Sequence, residues 1–190
     1  MAIVLASQSP RRQELLARIG VEDFKTLSLD IDESYPEGLS PEDTVRYIAK
    51  KKCDAAAALC APGDLIITAD TMVFLGNDRL GKPRDEEDAL RMLRELAGRA
   101  HTVCTGVSVR RGAQEERFAV STRVFFRPMT DDEIRAYIKT GEPMDKAGAY
   151  GVQSRGALFV ERIDGDFFNV MGLPVEQLGL VLARFGVKLL

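Results

Sequence analysis

Five residues, Ala2-Ile3-Val4-Leu5-Ala6, run straight into Ser7-Gln8-Ser9-Pro10-Arg11-Arg12, and a helix-period stretch carrying Leu15, Leu16 and Ile19 follows at once. A strand that hands over to a helix through so short a turn points to mixed α/β architecture from the first residues. Ser9 suits the N-cap and Pro10 the first helical position. The turn then presents unpaired backbone N–H groups and the positive end of the helix dipole beside two guanidinium groups, a setting for an anion and above all for phosphate. Arg11 and Arg12 read equally well as solvated side chains, but cations in a first turn oppose the dipole, and that penalty tilts the reading toward a ligand.

The rest of the chain alternates in the same way. Ser40-Pro41-Glu42-Asp43 starts a helix through Val45, Ile48 and Ala49 to about Leu59, with Lys50, Lys51 and Lys52 on its middle turns. Asp64 to Ala69 is expected as a buried strand, Met72 to Leu75 as a second extended segment, and Gly76-Asn77-Asp78 as a turn. A helix from Asp85 stops at Gly98, and Thr102 to Arg110 with Glu116 to Phe126 flank Arg111-Gly112-Ala113 as a hairpin. Thr130 caps a helix ending near Gly141. Residues 146–151 are glycine-rich and irregular, Ala157 to Ile163 is a strand, and the last helix spans about Pro174 to Phe185. The expectation is an α/β fold of mixed, α+β-like character, a twisted mixed β-sheet with helices around it.

With 190 residues the chain suits one domain, 1–190, with two lobes. Its 45% hydrophobic content and formal charge of -3 lack the basic excess of a nucleic-acid binder, so any cationic site must be local. Three cysteines without C-x-x-C spacing suggest neither a disulfide framework nor a zinc ribbon and fit a reducing cytoplasm. The N-terminus has no secretory pattern and no stretch reaches the ~18 apolar residues of a membrane span, so no membrane partner is expected.

Gly76 to Lys82 fits the first seven positions of G-x-x-x-x-G-K, but Pro83 supplies neither the hydroxyl nor the N–H that a P-loop requires next. Lys82 stays of interest on its short Gly-Lys-Pro segment. Asp70 falls after Leu65-Ile66-Ile67-Thr68-Ala69, at the expected C-terminal end of a buried strand, where α/β sheets place ligands; an Asp-Thr turn is the plainer alternative. Asp30, Asp32 and Glu33 form a second acidic group, and one of them with Asp70 could hold a hard divalent cation. His101, the single histidine, and the lack of a G-x-S-x-G elbow exclude a serine-hydrolase arrangement. What remains is cations and carboxylates, the parts that position a polyphosphate and assist attack by water.

Taken together, Leu5 to Leu16, Asp32-Glu33, Lys52, Ala69-Asp70-Thr71, Gly81-Lys82-Pro83, Asp145 to Gln153 and Gly172-Leu173-Pro174 resemble, in order and over almost the whole chain, the Maf family of nucleoside triphosphate pyrophosphatases. The Asp-Lys-Ala-Gly-Ala-Tyr-Gly-x-Gln form is similar to the branch that prefers dTTP and UTP over 7-methyl-GTP. Gln8, Thr68 and Asp166-Phe167-Phe168-Asn169 depart from the family's usual residues, none of them removing a charge. The resemblance implies a nucleotide cleft between the lobes and hydrolysis between the α and β phosphates. It also implies Asp70 as proton acceptor, and Glu33 with Asp70 as holders of a divalent metal, Mg or Mn. Ser9, Arg11, Arg12, Lys52 and Lys82 are expected on the phosphates, with Thr71, Tyr150 and Gln153 toward the base. Gln153 can offer a donor and an acceptor to the O4 and N3–H edge of uracil or thymine. The expected partner is a nucleoside triphosphate, and a homodimer is compatible. Two other readings are a non-catalytic nucleotide-sensing or protein-interaction module tied to cell division, and an inosine triphosphate pyrophosphatase.

Overall fold

The opening hand-over is realised as β1 (Ile3–Leu5) followed by α1 (Pro10–Arg18), in a computed structural model that describes residues 2–190. After them come β2 (Phe24–Thr26), α2 (Pro41–Ala57), β3 (Leu65–Leu75), β4 (Asp78–Leu80), α3 (Glu86–Leu96), β5 (Ala100–Arg111) and β6 (Gln114–Phe126). The chain closes with α4 (Asp131–Ile138), 3-10 turns at Glu142–Asp145, Ala147–Ala149 and Arg155–Phe159, then β7 (Val160–Asp164), α5 (Phe167–Met171) and α6 (Val175–Arg184). The strands form a seven-stranded sheet in the order β2-β1-β3-β5-β6-β7, with β4 paired to β3. The sheet is mixed: β1 is parallel to β2 and β3, while β3–β4 and β6–β7 are antiparallel. Parallel neighbours need a crossover, which α1 and α2 supply. Among the described residues no helix is long and apolar enough to cross a membrane.

Two sequence expectations change. Asp70-Thr71 does not interrupt the chain between two extended runs; β3 continues through both, and every residue of it except Thr71 is buried. Asp70 therefore sits in mid-strand, since its polarity is met by a lysine and needs no turn. The expected strand start at Ala157 is instead the 3-10 turn Arg155–Phe159, so β7 begins at Val160. The segment that mimics a P-loop is the β3–β4 hairpin, with Gly76 at φ 62 in its turn.

The chain divides into two units. Unit 1 takes the residues through Asp70, Thr105–Val120 and Gly172–Leu190. Its core includes Leu5, Leu15, Leu16, Val45, Ile48 and Ile67, all at most 1% exposed, each side chain contributing about 1.5–3 kcal/mol by leaving water. Here α2, capped by Ser40 Oγ accepting from Asp43 N at 3.1 Å and begun by Pro41, lies directly on the sheet. A Cβ on Gly106 of β5 would stand 2.3 Å from the Val45 carbonyl carbon, and Thr68 Oγ1 of β3 donates to Ala49 O at 2.7 Å. Unit 2 holds Thr71–Cys104 and Ser121–Met171. Its interior is aromatic, with Phe126 against Tyr150 at 4.7 Å between ring centroids, His101 at 4.9 Å from Phe126, and Tyr137 edge-on to Phe159.

Candidate active site

The first-turn geometry of α1 matches its chemistry. Ser9 occupies the N-cap with Pro10 next and no acid in the first turn, but its side chain caps nothing; its own N–H donates to Ser7 Oγ at 3.2 Å. Ser7 is buried, and its oxygen also receives Arg12 Nη1 at 3.3 Å, while Arg12 Nε donates to the Gly172 carbonyl at 2.8 Å. The guanidinium is thus held by two separate segments of unit 1. Burial lowers the Arg12 pKa, Asp70 and Glu33 pull it back up, and Arg11 lowers it further. Arg11, on the same turn, is partly exposed.

Asp70 and Lys52 meet because a helix and a strand run in register. Thr68 and Asp70 share one face of β3 by the period of two, and Ala49 and Lys52 share one face of α2 by the spacing of three. Ala49 lies on Thr68, and one turn on, Lys52 Nζ donates to Asp70 Oδ1 at 2.7 Å. The same ammonium lies 2.9 Å from Glu33 Oε1. Lys51 draws in the neighbouring loop through Asp32 Oδ2 at 3.3 Å and the Ser34 carbonyl at 3.1 Å. Bonds from Ser34, then from Lys51, lower the Asp32 pKa. Asp32 shapes the loop and Glu33 faces the lysine, which resolves the acidic run into two roles.

Asp70 is 6% exposed, and its Oδ2 is buried without a hydrogen-bond partner. An acceptor left in that state costs about 1–3 kcal/mol, a cost a fold retains where a ligand removes it. Among the described residues no three His, Cys, Asp or Glu side chains gather as a metal nest. Two carboxylates with an open oxygen nevertheless suit a hard cation that completes its shell with water and phosphate oxygens, the usual habit of magnesium.

Thr71, Lys82, Tyr150 and Gln153 belong to unit 2. Lys82 is exposed, and its segment is tied down where Gly148 N donates to Gly81 O at 3.0 Å. Gly148 has φ 72 with Val73 methyls 3.0 and 3.1 Å from a would-be Cβ, so only glycine fits that approach. Gln153 is exposed on a loop, whereas Tyr150 is buried and shares a 2.8 Å hydrogen bond with His101 Nε2. Tyr150 is therefore part of the unit's interior, and its hydroxyl already has a partner. Desolvation raises its pKa. Thr71 is the one partly exposed residue of β3.

Sequence reasoning missed Ser7, Thr68 and Gly106, which orient the charged groups without carrying charge. Gly106 alone had a readable signal, a glycine inside a strand pattern, which often marks close backbone approach.

The sequence model of the family described as Maf-like protein matches residues 2–185. A protein of Bacillus velezensis named dTTP/UTP pyrophosphatase is 46% identical over 186 residues, covering 98% of this chain and 97% of its own. One of the same name from Dictyoglomus turgidum is 47% identical, covering 99% and 98%. Among solved structures, a HAM1 protein from Coxiella burnetii shares the fold with a TM-score of 0.56 at 13% identity, over 97% of this chain and 99% of that one.

Proposed function

Because the chain belongs to the Maf family, we propose that it is a nucleoside triphosphate pyrophosphatase, hydrolysing dTTP and UTP to the nucleoside monophosphate and pyrophosphate. The observation that carries the reading is the Glu33–Lys52–Asp70 cluster, in which Asp70 keeps one buried oxygen without a partner.

In this scheme Asp70 takes a proton from water as the water oxygen bonds to the α phosphorus. The Pα–O bond to the β phosphate breaks and pyrophosphate leaves. Arg11, Arg12, Lys52, Lys82 and the N–H groups after Ser9 hold the phosphate oxygens; a triphosphate carries about four negative charges, and each charge-assisted contact contributes roughly 1.5–3 kcal/mol. Arg12 is suited to this by its fixed fork, already anchored on Gly172 O and Ser7. Glu33 and Asp70 would hold a divalent cation, Mg or Mn, which when bound offsets phosphate charge and acidifies water. Gln153 reads the O4 and N3–H edge of the base, Thr71 adds to that selection, and Tyr150 supports the loop from the interior. The substrate is a free nucleotide, neither nucleic acid nor membrane. We place the activity in the cytoplasm, where its free thiols are at home.

A pyrophosphate-release assay over all nucleoside triphosphates, ITP included, with Mg²⁺ or Mn²⁺ tests this. Turnover is expected to be highest with dTTP and UTP; a preference for ITP, or binding without turnover, overturns it. Asp70→Asn is expected to lower kcat by about two to four orders of magnitude while nucleotide binding stays measurable.

A further inference from the structure

Glu142 is a carboxylate with an unusual number of donors for a residue outside the charged site. It opens a 3-10 turn after Gly141, whose φ of 74 swings the chain back toward the loop that follows Tyr150. Its Oε1 accepts from Tyr137 OH at 2.8 Å, Ser154 Oγ at 2.7 Å and Gly156 N at 3.1 Å, and its Oε2 accepts from Arg155 N at 3.2 Å. The Tyr137 oxygen, while donating to Glu142, accepts from Gly151 N at 3.1 Å. Acid and phenol together collect the backbone N–H groups of 151, 155 and 156 and the hydroxyl of 154.

Those groups bracket Gln153 on both sides. The bracket closes at its base, where a Cβ on Gly156 would stand 2.5 Å from Gly151 O and 2.9 Å from Tyr137 OH, so the two glycine backbones pass in direct contact. Residues 151–156 therefore form a narrow-necked loop with Gln153 exposed near its tip and Glu142 gripping the returning limb. Lys146 keeps the glutamate's own backbone in place by donating to Glu142 O at 2.7 Å. The four donors from Tyr137, Ser154, Arg155 and Gly156 all point at an acceptor-only group, a pattern that a carboxylate satisfies and an amide does not. Burial pushes the Glu142 carboxyl up, but the bonds from Ser154, Tyr137, Gly156 and Arg155 outweigh it and leave the pKa below its ordinary value.

We propose that Glu142 is a specificity-positioning residue: it fixes the 151–156 loop so that the Gln153 amide is held in the orientation that discriminates uracil and thymine from other bases. This rests on the reading of Gln153 as the base contact. Discrimination by a polar side chain depends on where its donor and acceptor stand, and a loop free to turn would let the amide serve cytosine as well.

The test compares kcat/KM for UTP and CTP in the wild type, Glu142→Gln, Gln153→Ala and the double variant. In Glu142→Gln the new amide N–H₂ faces donors, so the UTP:CTP ratio is expected to fall about tenfold, through a higher KM for UTP more than a lower kcat. In the double variant the ratio should match that of Gln153→Ala alone, because the two residues act through one contact. Equal losses for both nucleotides in Glu142→Gln, with Gln153→Ala still lowering the ratio, overturn the positioning role and leave the base contact standing. An unchanged ratio in Gln153→Ala overturns the base contact, and this inference with it. Should Glu142→Gln fail to fold, Ser154→Ala removes a single donor to the same carboxylate; a roughly twofold fall in the ratio supports the role and an unchanged ratio overturns it.

Discussion

His101, the chain's single histidine, is 2% exposed, with Nε2 on the Tyr150 hydroxyl and Nδ1 buried without a partner. Desolvation lowers its pKa from 6.5 to about 4. Because the folded value lies below the unfolded one, the stabilisation is complete above pH 6.5 and is lost as pH falls toward 4. The loss amounts to about 3 kcal/mol over that window. Chemical denaturation at a series of pH values should show this slope, and His101→Asn should flatten it between about pH 6.5 and 5. At the same scale the sequence was legible where charge met a local rule: Arg12 beside a proline-started helix, and Asp70 after an apolar run. It was illegible where the partners are distant backbone groups, as for Glu142, which meets residues 155 and 156 only after the chain has turned through two short helical segments and entered a third.

Among the elements, α2 shows how much position depends on contacts remote from charge. It touches the sheet through Gly106 at Val45, Thr68 at Ala49 and Asp70 at Lys52, in order along its length. Gly106→Ala forces a methyl into the Val45 backbone, so the helix must shift. Thermal and denaturant unfolding should report a loss of about 1–3 kcal/mol or more, and kcat should fall as Lys52 moves off Asp70. Helix starts were readable from chemistry alone: Asp85 accepts from Asp88 N at 2.8 Å, and Thr130 and Glu133 form a full capping box. β2 and α5 were not, since three and five residues are too few to show a period. The continuity of β3 was hidden for another reason, because Asp70-Thr71 in mid-strand resembles turn chemistry until Lys52 is seen beside it.

For the whole molecule, a net charge of -3 coexists with a locally cationic strand–helix turn, and the mixed sheet fits the alternation of elements read along the chain. Unit 1 carries Arg12, Glu33, Lys52 and Asp70, and unit 2 carries Lys82, Tyr150 and Gln153, so the charged cluster and the Gln153 loop belong to separately cored parts of one chain. Glu33 and Asp70, the two carboxylates proposed for the cation, should hold metal reversibly: EDTA is expected to stop pyrophosphate release, and excess Mg²⁺ or Mn²⁺ to restore it. Full turnover in metal-free buffer would remove the cation from the scheme. The concealed imidazole also simplifies kinetics. With the one side chain that ordinarily changes charge between pH 5 and 8 taken out of that interval, and with burial pushing the Cys53 and Cys60 thiols upward, an inflection in a rate profile near pH ~6 belongs to none of these three groups.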